Sequence, residues 1–121
     1  MNQGRLMRNF TIATFVFLFL VSCSVAFAHP PSDIIFKYDI KNKILSVGLA
    51  HSVKDPQKHF IKEINIKINS KEWIKQKFAS QTNKDAQAAS YAQVSLKKGD
   101  VIEVLADCNE SGKLKKTFKI E

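Results

Sequence analysis

The chain is 121 residues long, 45% apolar, with nineteen Lys/Arg against eleven Asp/Glu and two cysteines; that length allows one domain at most. Both arginines, five of the nine phenylalanines and no acidic residue fall in residues 1–28, so the basic excess of the remainder is lysine alone. Lysine spread through every segment, with no guanidinium for bidentate base or phosphate contacts, argues against a nucleic-acid partner and reads as a solvated surface with a weak attraction for anions or an anionic membrane.

In chain order, residues 1–28 read as a signal peptide. Arg5 and Arg8 give a basic start. Residues 11–21 form a nearly unbroken apolar run, too short for the roughly 20 residues that span a bilayer. Ala26-Phe27-Ala28 then offers small residues at both positions a signal peptidase inspects. A competing cut lies at Leu20-Val21-Ser22-Cys23, which resembles the lipobox of bacterial lipoproteins; there Cys23 would carry the lipid and tether the protein to a membrane. Cleavage after Ala28 is favoured because the polar Pro30-Pro31-Ser32 follows where a mature start is expected. Either cut puts the domain outside the cytoplasm, in the periplasm or beyond.

The mature domain, residues 29–121, has about 93 residues, seventeen Lys, no Arg and a net charge of +6. Its single cysteine, Cys108, has no internal disulfide partner and is an inert buried residue, a residue linked to a partner, or a metal ligand.

Period-two alternation runs through this domain. Ile34, Phe36 and Tyr38 share one face of a first strand; Leu45, Val47, Leu49 and His51 share a face of a second, after the turn-like Lys41-Asn42-Lys43. Residues 59–69 form the longest run, with Phe60, Ile64, Ile66 and Ile68 on one side, ended by Asn69-Ser70-Lys71. Residues 73–78 make a fourth strand and 80–87 a polar loop. Residues 86–91 could pass for a helical turn, but are too short and lack a cap. The fifth strand is expected at Ala92, Val94 and Leu96, before the turn Lys97-Lys98-Gly99-Asp100. Residues 101–108 are nearly all apolar, as in a strand central to a sheet. After a turn at 109–112, Phe118 and Ile120 close the chain. Seven short strands at roughly ten-residue spacing predict an all-β, immunoglobulin-like antiparallel β-sandwich.

If the strands run alternately up and down, the start of the first strand and the loops after the second, fourth and sixth lie at one end. His29, His51, His59 and Cys108 then meet at a single pole. Each residue alone is better explained as an ordinary strand-end histidine or a small core thiol. Together they form a donor set suited to a late first-row metal. Cleavage after Ala28 would add the α-amine of His29 as a chelating group beside its ring.

These positions resemble the iron-binding domain of desulfoferrodoxins and superoxide reductases over nearly all of the mature domain. The family's Lys-His-x-Pro falls on Ala28-His29-Pro30-Pro31, its His-Pro on His51-Ser52, its His-Tyr-Ile on His59-Phe60-Ile61, and its Cys-Asn-x-His-Gly on Cys108-Asn109-Glu110-Ser111-Gly112. The resemblance implies the same sandwich and a mononuclear non-haem iron held by His29, His51, His59 and Cys108. It also implies an oxidoreductase that reduces superoxide to hydrogen peroxide, with electrons from an unidentified donor. Three departures stand out: Ser111 replaces the fourth histidine, His51 and His59 are eight apart instead of six, and Ala28 replaces the lysine thought to steer superoxide. The α-amine of His29, water or Asp85 would have to fill the vacant position. Copper or zinc is an alternative metal, and an iron-free or altered-metal binding module that kept the fold an alternative function. The net charge of +6 would attract superoxide or another small anion, and association into a homo-oligomer is compatible with the sequence. No Ser-His-Asp set, Gly-rich phosphate loop or second mature cysteine offers a competing chemistry.

Overall fold

The alternation of apolar and polar residues becomes strands wherever one face can be buried. The computed structural model describes residues 29–121; the signal-peptide reading, with Cys23 and both candidate cleavage points, lies outside the described residues. Seven strands follow in order: β1 (Asp33–Asp39), β2 (Ile44–Ala50), β3 (Ile61–Ile68), β4 (Lys71–Lys77), β5 (Ala86–Tyr91), β6 (Val101–Cys108) and β7 (Lys113–Lys119). All pairings are antiparallel and form two sheets, β1-β2-β5 and β4-β3-β6-β7. The protein is therefore an all-β sandwich, with the fourth strand on the sheet of the third, sixth and seventh. No helix among the described residues is long and apolar enough to cross a membrane.

The core lies between the sheets. Leu45, Val47 and Leu49 of β2 face Ile61, Ile64 and Ile66 of β3 and Ile102, Val104 and Ala106 of β6, with Ile34 closing one side; all are buried. Each such aliphatic side chain contributes about 1.5–3 kcal/mol on burial. The two central strands of the larger sheet, β3 and β6, thus carry the inward residues of the longest apolar runs. The stacked rings of Phe36 and Phe118, 4.7 Å between centroids, join β1 to β7 where the sheets meet. On the outer face of the larger sheet, Glu103 lies between Lys67 and Lys115, and Asp107 between Lys62 and Lys113, which accounts for part of the lysine excess as solvated cross-strand pairs.

Two strands differ from the sequence reading. The third begins at Ile61, not His59, and a register shift between Ile61 and Glu63 puts Ile61, not Phe60, in the core beside Ile64 and Ile66. The fifth is Ala86–Tyr91, and residues 92–100 form a connection with no regular strand. β5 is an edge strand pairing only with β2, and it presents Gln87, Ala89 and Tyr91 opposite Leu49, Val47 and Leu45. That face carries one glutamine, one alanine and one tyrosine and no branched aliphatic residue, so its apolar signal is weak. Val94 is buried but gets there from a loop: its amide donates to the Lys43 carbonyl (3.0 Å), and its carbonyl accepts the Tyr38 hydroxyl (2.6 Å). The Tyr38 oxygen also accepts from the Leu96 amide at 3.1 Å. One half-buried phenol therefore imitates the strand pairing that the spacing of Ala92, Val94 and Leu96 suggests.

Candidate metal centre

Four chain segments converge at the pole beyond the end of β2. The arm at residues 29–32 is held there by the Ser32 amide and hydroxyl, which donate to the Ala50 carbonyl at 2.8 and 3.1 Å. His51 follows directly on the last residue of β2, and its amide donates to the Asp85 carbonyl at 2.9 Å in the β4–β5 loop. Val53 repeats this bond to Lys84 at 2.8 Å. His59 stands two residues before β3, on a turn built by Asp55. The Asp55 side chain accepts from the Gln57 amide at 2.9 Å, and its carbonyl accepts from Lys58 and His59 at 3.1 and 2.9 Å. Asn109 brackets the same histidine: its Oδ1 accepts from the Phe60 amide at 2.9 Å, and its Nδ2 donates to the Lys58 carbonyl at 2.9 Å. Cys108 ends β6 opposite Ile61, facing inward in line with Ile102, Val104 and Ala106.

All four residues read from the sequence as ligands are brought together. The three imidazole rings lie 4.7–5.2 Å apart between centroids. One ligand atom from each of His29, His51 and His59 lies within 4.8 Å of the others, so this group could hold a metal ion. Cys108 joins through His59, whose Nε2 is 3.1 Å from Sγ.

The donor chemistry and the spacing both fit a metal. Two nitrogens bound at about 2.1 Å are at most about 4.2 Å apart, when opposite each other, and about 3.0–3.4 Å apart at a right or tetrahedral angle, so histidine atoms lying up to 4.8 Å apart have to draw together before all three hold one ion. For nitrogen at about 2.1 Å and sulfur at about 2.3 Å, the ligand–ligand edge is roughly 3.1 Å at a right angle and 3.6 Å at the tetrahedral angle. The His59–Cys108 spacing matches the right-angled edge. Imidazole nitrogen with thiolate suits iron, copper and zinc alike. Burial pushes the His59 imidazole below its usual value near 6.5, the neighbouring His51 and His29 add to that, and Glu110 pulls the other way. The ring is accordingly neutral, with a lone pair to give, at neutral pH.

Two positions considered for the missing fourth imidazole do not join the cluster. Ser111 is exposed. Asp85 is exposed as well and reaches the site through its backbone carbonyl, on the His51 amide.

Three supporting features were invisible in the sequence. Gln81, buried within the polar β4–β5 loop, has its Oε1 at 2.7 Å from His51 Nδ1. The Glu110 carboxylate lies 3.8 Å from His59 Nδ1. Gly112, at φ +87°, sits so close to Pro30 that a Cβ there would come within 2.8 Å of the proline Cβ. No periodicity or short motif marks any of these contacts, because each joins two loops far apart in the chain.

The fold and the site thus define an all-β sandwich with a histidine cluster at one pole that could bind a metal. No family model matches the chain, and no curated protein matches it.

Proposed function

We propose that this chain is an exported mononuclear non-haem iron protein of superoxide-reductase type, with His29, His51, His59 and Cys108 as the ligands. The observation that carries the proposal is the convergence of three imidazoles and one thiol, from four separate segments, on a single small volume. Bound iron would supply one electron to superoxide, which with two protons leaves as hydrogen peroxide; an external donor returns the electron. The residues do the rest. Cys108, enclosed at the end of β6, offers an anionic sulfur that raises the electron density of the centre. His29 and His59 are only partly buried, which leaves an approach for a small anion, and the lysine-rich surface draws such anions in.

Protein purified without oxygen and loaded with ferrous iron is expected to hold about one iron per chain. Once oxidised it should show a sulfur-to-iron charge-transfer band that Cys108→Ser removes. It should also consume superoxide without releasing dioxygen. A protein that stays colourless and metal-free after reconstitution refutes the reading. The exposed Ser111 in place of a fourth imidazole favours one second reading, a copper or zinc site on the same residues, or a binding module without redox activity. Preferential retention of zinc or copper in competition with ferrous iron would select it.

A further inference from the structure

His51 and Gln81 are both buried, at 1% and 4% exposure, and they are bonded to each other twice. The Gln81 Nε2 lies 2.7 Å from the His51 carbonyl oxygen and 3.0 Å from the Asn83 carbonyl oxygen. Carbonyl oxygens only accept, so this end of the amide is the NH2 group and the amide orientation follows from its partners. The other end, Oε1, is 2.7 Å from His51 Nδ1. An amide oxygen also only accepts, so Nδ1 must carry the proton of that bond. Nε2 faces a second acceptor, the backbone oxygen of His29, at 3.2 Å. A neutral ring can donate to only one of the two, and the bond to Gln81 is the shorter, so Nδ1–H leaves the Nε2 lone pair against a backbone oxygen that a bound ion would have to displace. Gln81 is itself held, its amide donating to the Pro56 carbonyl at 3.0 Å. The loop before β3 is thereby tied to the loop before β5 around His51.

We infer that Gln81 is a positioning residue of the metal centre: it fixes the Nδ1–H tautomer of His51 and delivers Nε2 to the ion. This rests on the metal-binding reading above. A metal-bound histidine is ordinarily oriented by a bond from its second nitrogen to a carbonyl or carboxylate oxygen. His51, buried and rigidly placed, has this bond in its shortest and most enclosed form. A purely architectural role would use the same Nδ1–H bond to link the loops, but losing it would then lower stability and leave metal affinity unchanged.

The test begins with metal-free protein carrying 15N-labelled histidine, at a pH above the imidazole titration range, where long-range 15N–1H spectra distinguish the two tautomers. Wild-type His51 is expected as Nδ1–H with a slowly exchanging ring proton. Gln81→Leu should lose that preference, and its affinity for cobalt(II), followed by the visible absorption of the bound ion, should fall about 10- to 100-fold. Gln81→Glu keeps an acceptor on Nδ1 while losing the amide donors. It should therefore retain the tautomer and most of the cobalt affinity even where it lowers stability. Cobalt uptake by wild-type protein whose His51 is Nε2–H overturns the role of Gln81 alone, as does a Gln81→Leu protein with wild-type tautomer and affinity. Wild-type protein with Nδ1–H at His51 and no uptake of cobalt, zinc or ferrous iron overturns the metal reading, and the role of Gln81 with it. If Gln81→Leu does not fold, the wild-type tautomer and the Gln81→Glu affinity still decide the matter.

Discussion

Gly112 and Gly99 share almost the same left-handed backbone, at φ +87° and +91°, but not the same surroundings. A Cβ at Gly99 meets nothing within 4 Å, whereas one at Gly112 falls 2.8, 3.0 and 3.2 Å from Cβ, Cδ and Cα of Pro30. Replacing either by alanine places a side chain where L-residues are strained, at about 1–2 kcal/mol. Gly99→Ala should cost that and nothing more. Gly112→Ala must also push Pro30 away by roughly 0.6 Å or more to reach ordinary contact at 3.4 Å. A proline ring and its Cα cannot absorb this as a flexible tip would, so the shift passes to His29, the next residue. Metal bonds tolerate about 0.2 Å of error. The Gly112 carbonyl also accepts the Cys108 amide at 3.1 Å, so the same change disturbs the thiol ligand. The expected outcome is similar backbone strain in the two variants, with cobalt(II) affinity near wild type in Gly99→Ala and lowered about 10- to 100-fold in Gly112→Ala. Urea unfolding of the metal-free proteins and cobalt titration of each check it. Equal cobalt affinities for the two variants would refute the argument that Gly112 is small in order to seat Pro30 and His29.

Other outcomes follow from the core and the turns. Ile66→Ala, at a fully buried position in the central strand β3, should lower unfolding free energy by about 3–4 kcal/mol in urea; a loss under about 1 kcal/mol would mean the two sheets close over the cavity. Asn69 and Ser70 carry φ of 49° and 68° between β3 and β4, a two-residue hairpin turn for which Asn-Gly is the preferred sequence. Ser70→Gly should therefore stabilise the protein by about 0.5–1 kcal/mol, and an unchanged or lowered melting temperature contradicts this. At the opposite pole, bonds from Asn69 and from the Lys97 amide and ammonium hold the Asp100 carboxyl down at about 2. Its folded value lies below the ordinary one near 3.9, so its contribution is complete above about pH 4 and is lost as the pH falls towards 2. The gap in urea midpoint between wild type and Asp100→Asn should be full at neutral pH and close across that window; a gap independent of pH would place the effect elsewhere.

The strands that pack two large faces together are legible in the sequence. In β2 and β6 the inward positions recur at period two throughout, with Cys108 in phase with Ile102, Val104 and Ala106, whereas in β3 the period holds from Ile64 and a bulge after Ile61 breaks it. The phase alone shows that the thiol points into the sandwich at the strand's end. β5 escaped the same reasoning because an edge strand packed on one side can be built from Ala, Gln and Ser. The loop carrying Val94 shows the converse. Its buried residue has a strand's spacing, but the Val94 carbonyl and the Leu96 amide bond to a side chain, Tyr38, and that exchange leaves no trace in hydropathy.

The metal-competent pole divides along the same line. His29, His51, His59 and Cys108 could be placed together because each abuts a strand whose direction is set by alternation, and direction decides which end a residue occupies. What turns proximity into a site comes from bonds between loops. Asn109 reaches Lys58 and Phe60 on either side of His59, Gln81 grips the ring and carbonyl of His51, and Gly112 makes room for Pro30. Loss of Asn109 or Gln81 should therefore misplace a single donor, and loss of Gly112 both His29 and Cys108, while the sandwich stays standing. That separability follows from mounting the donors on strand ends: the fold is maintained by the aliphatic core, and the loops are free to specialise in holding the ligands.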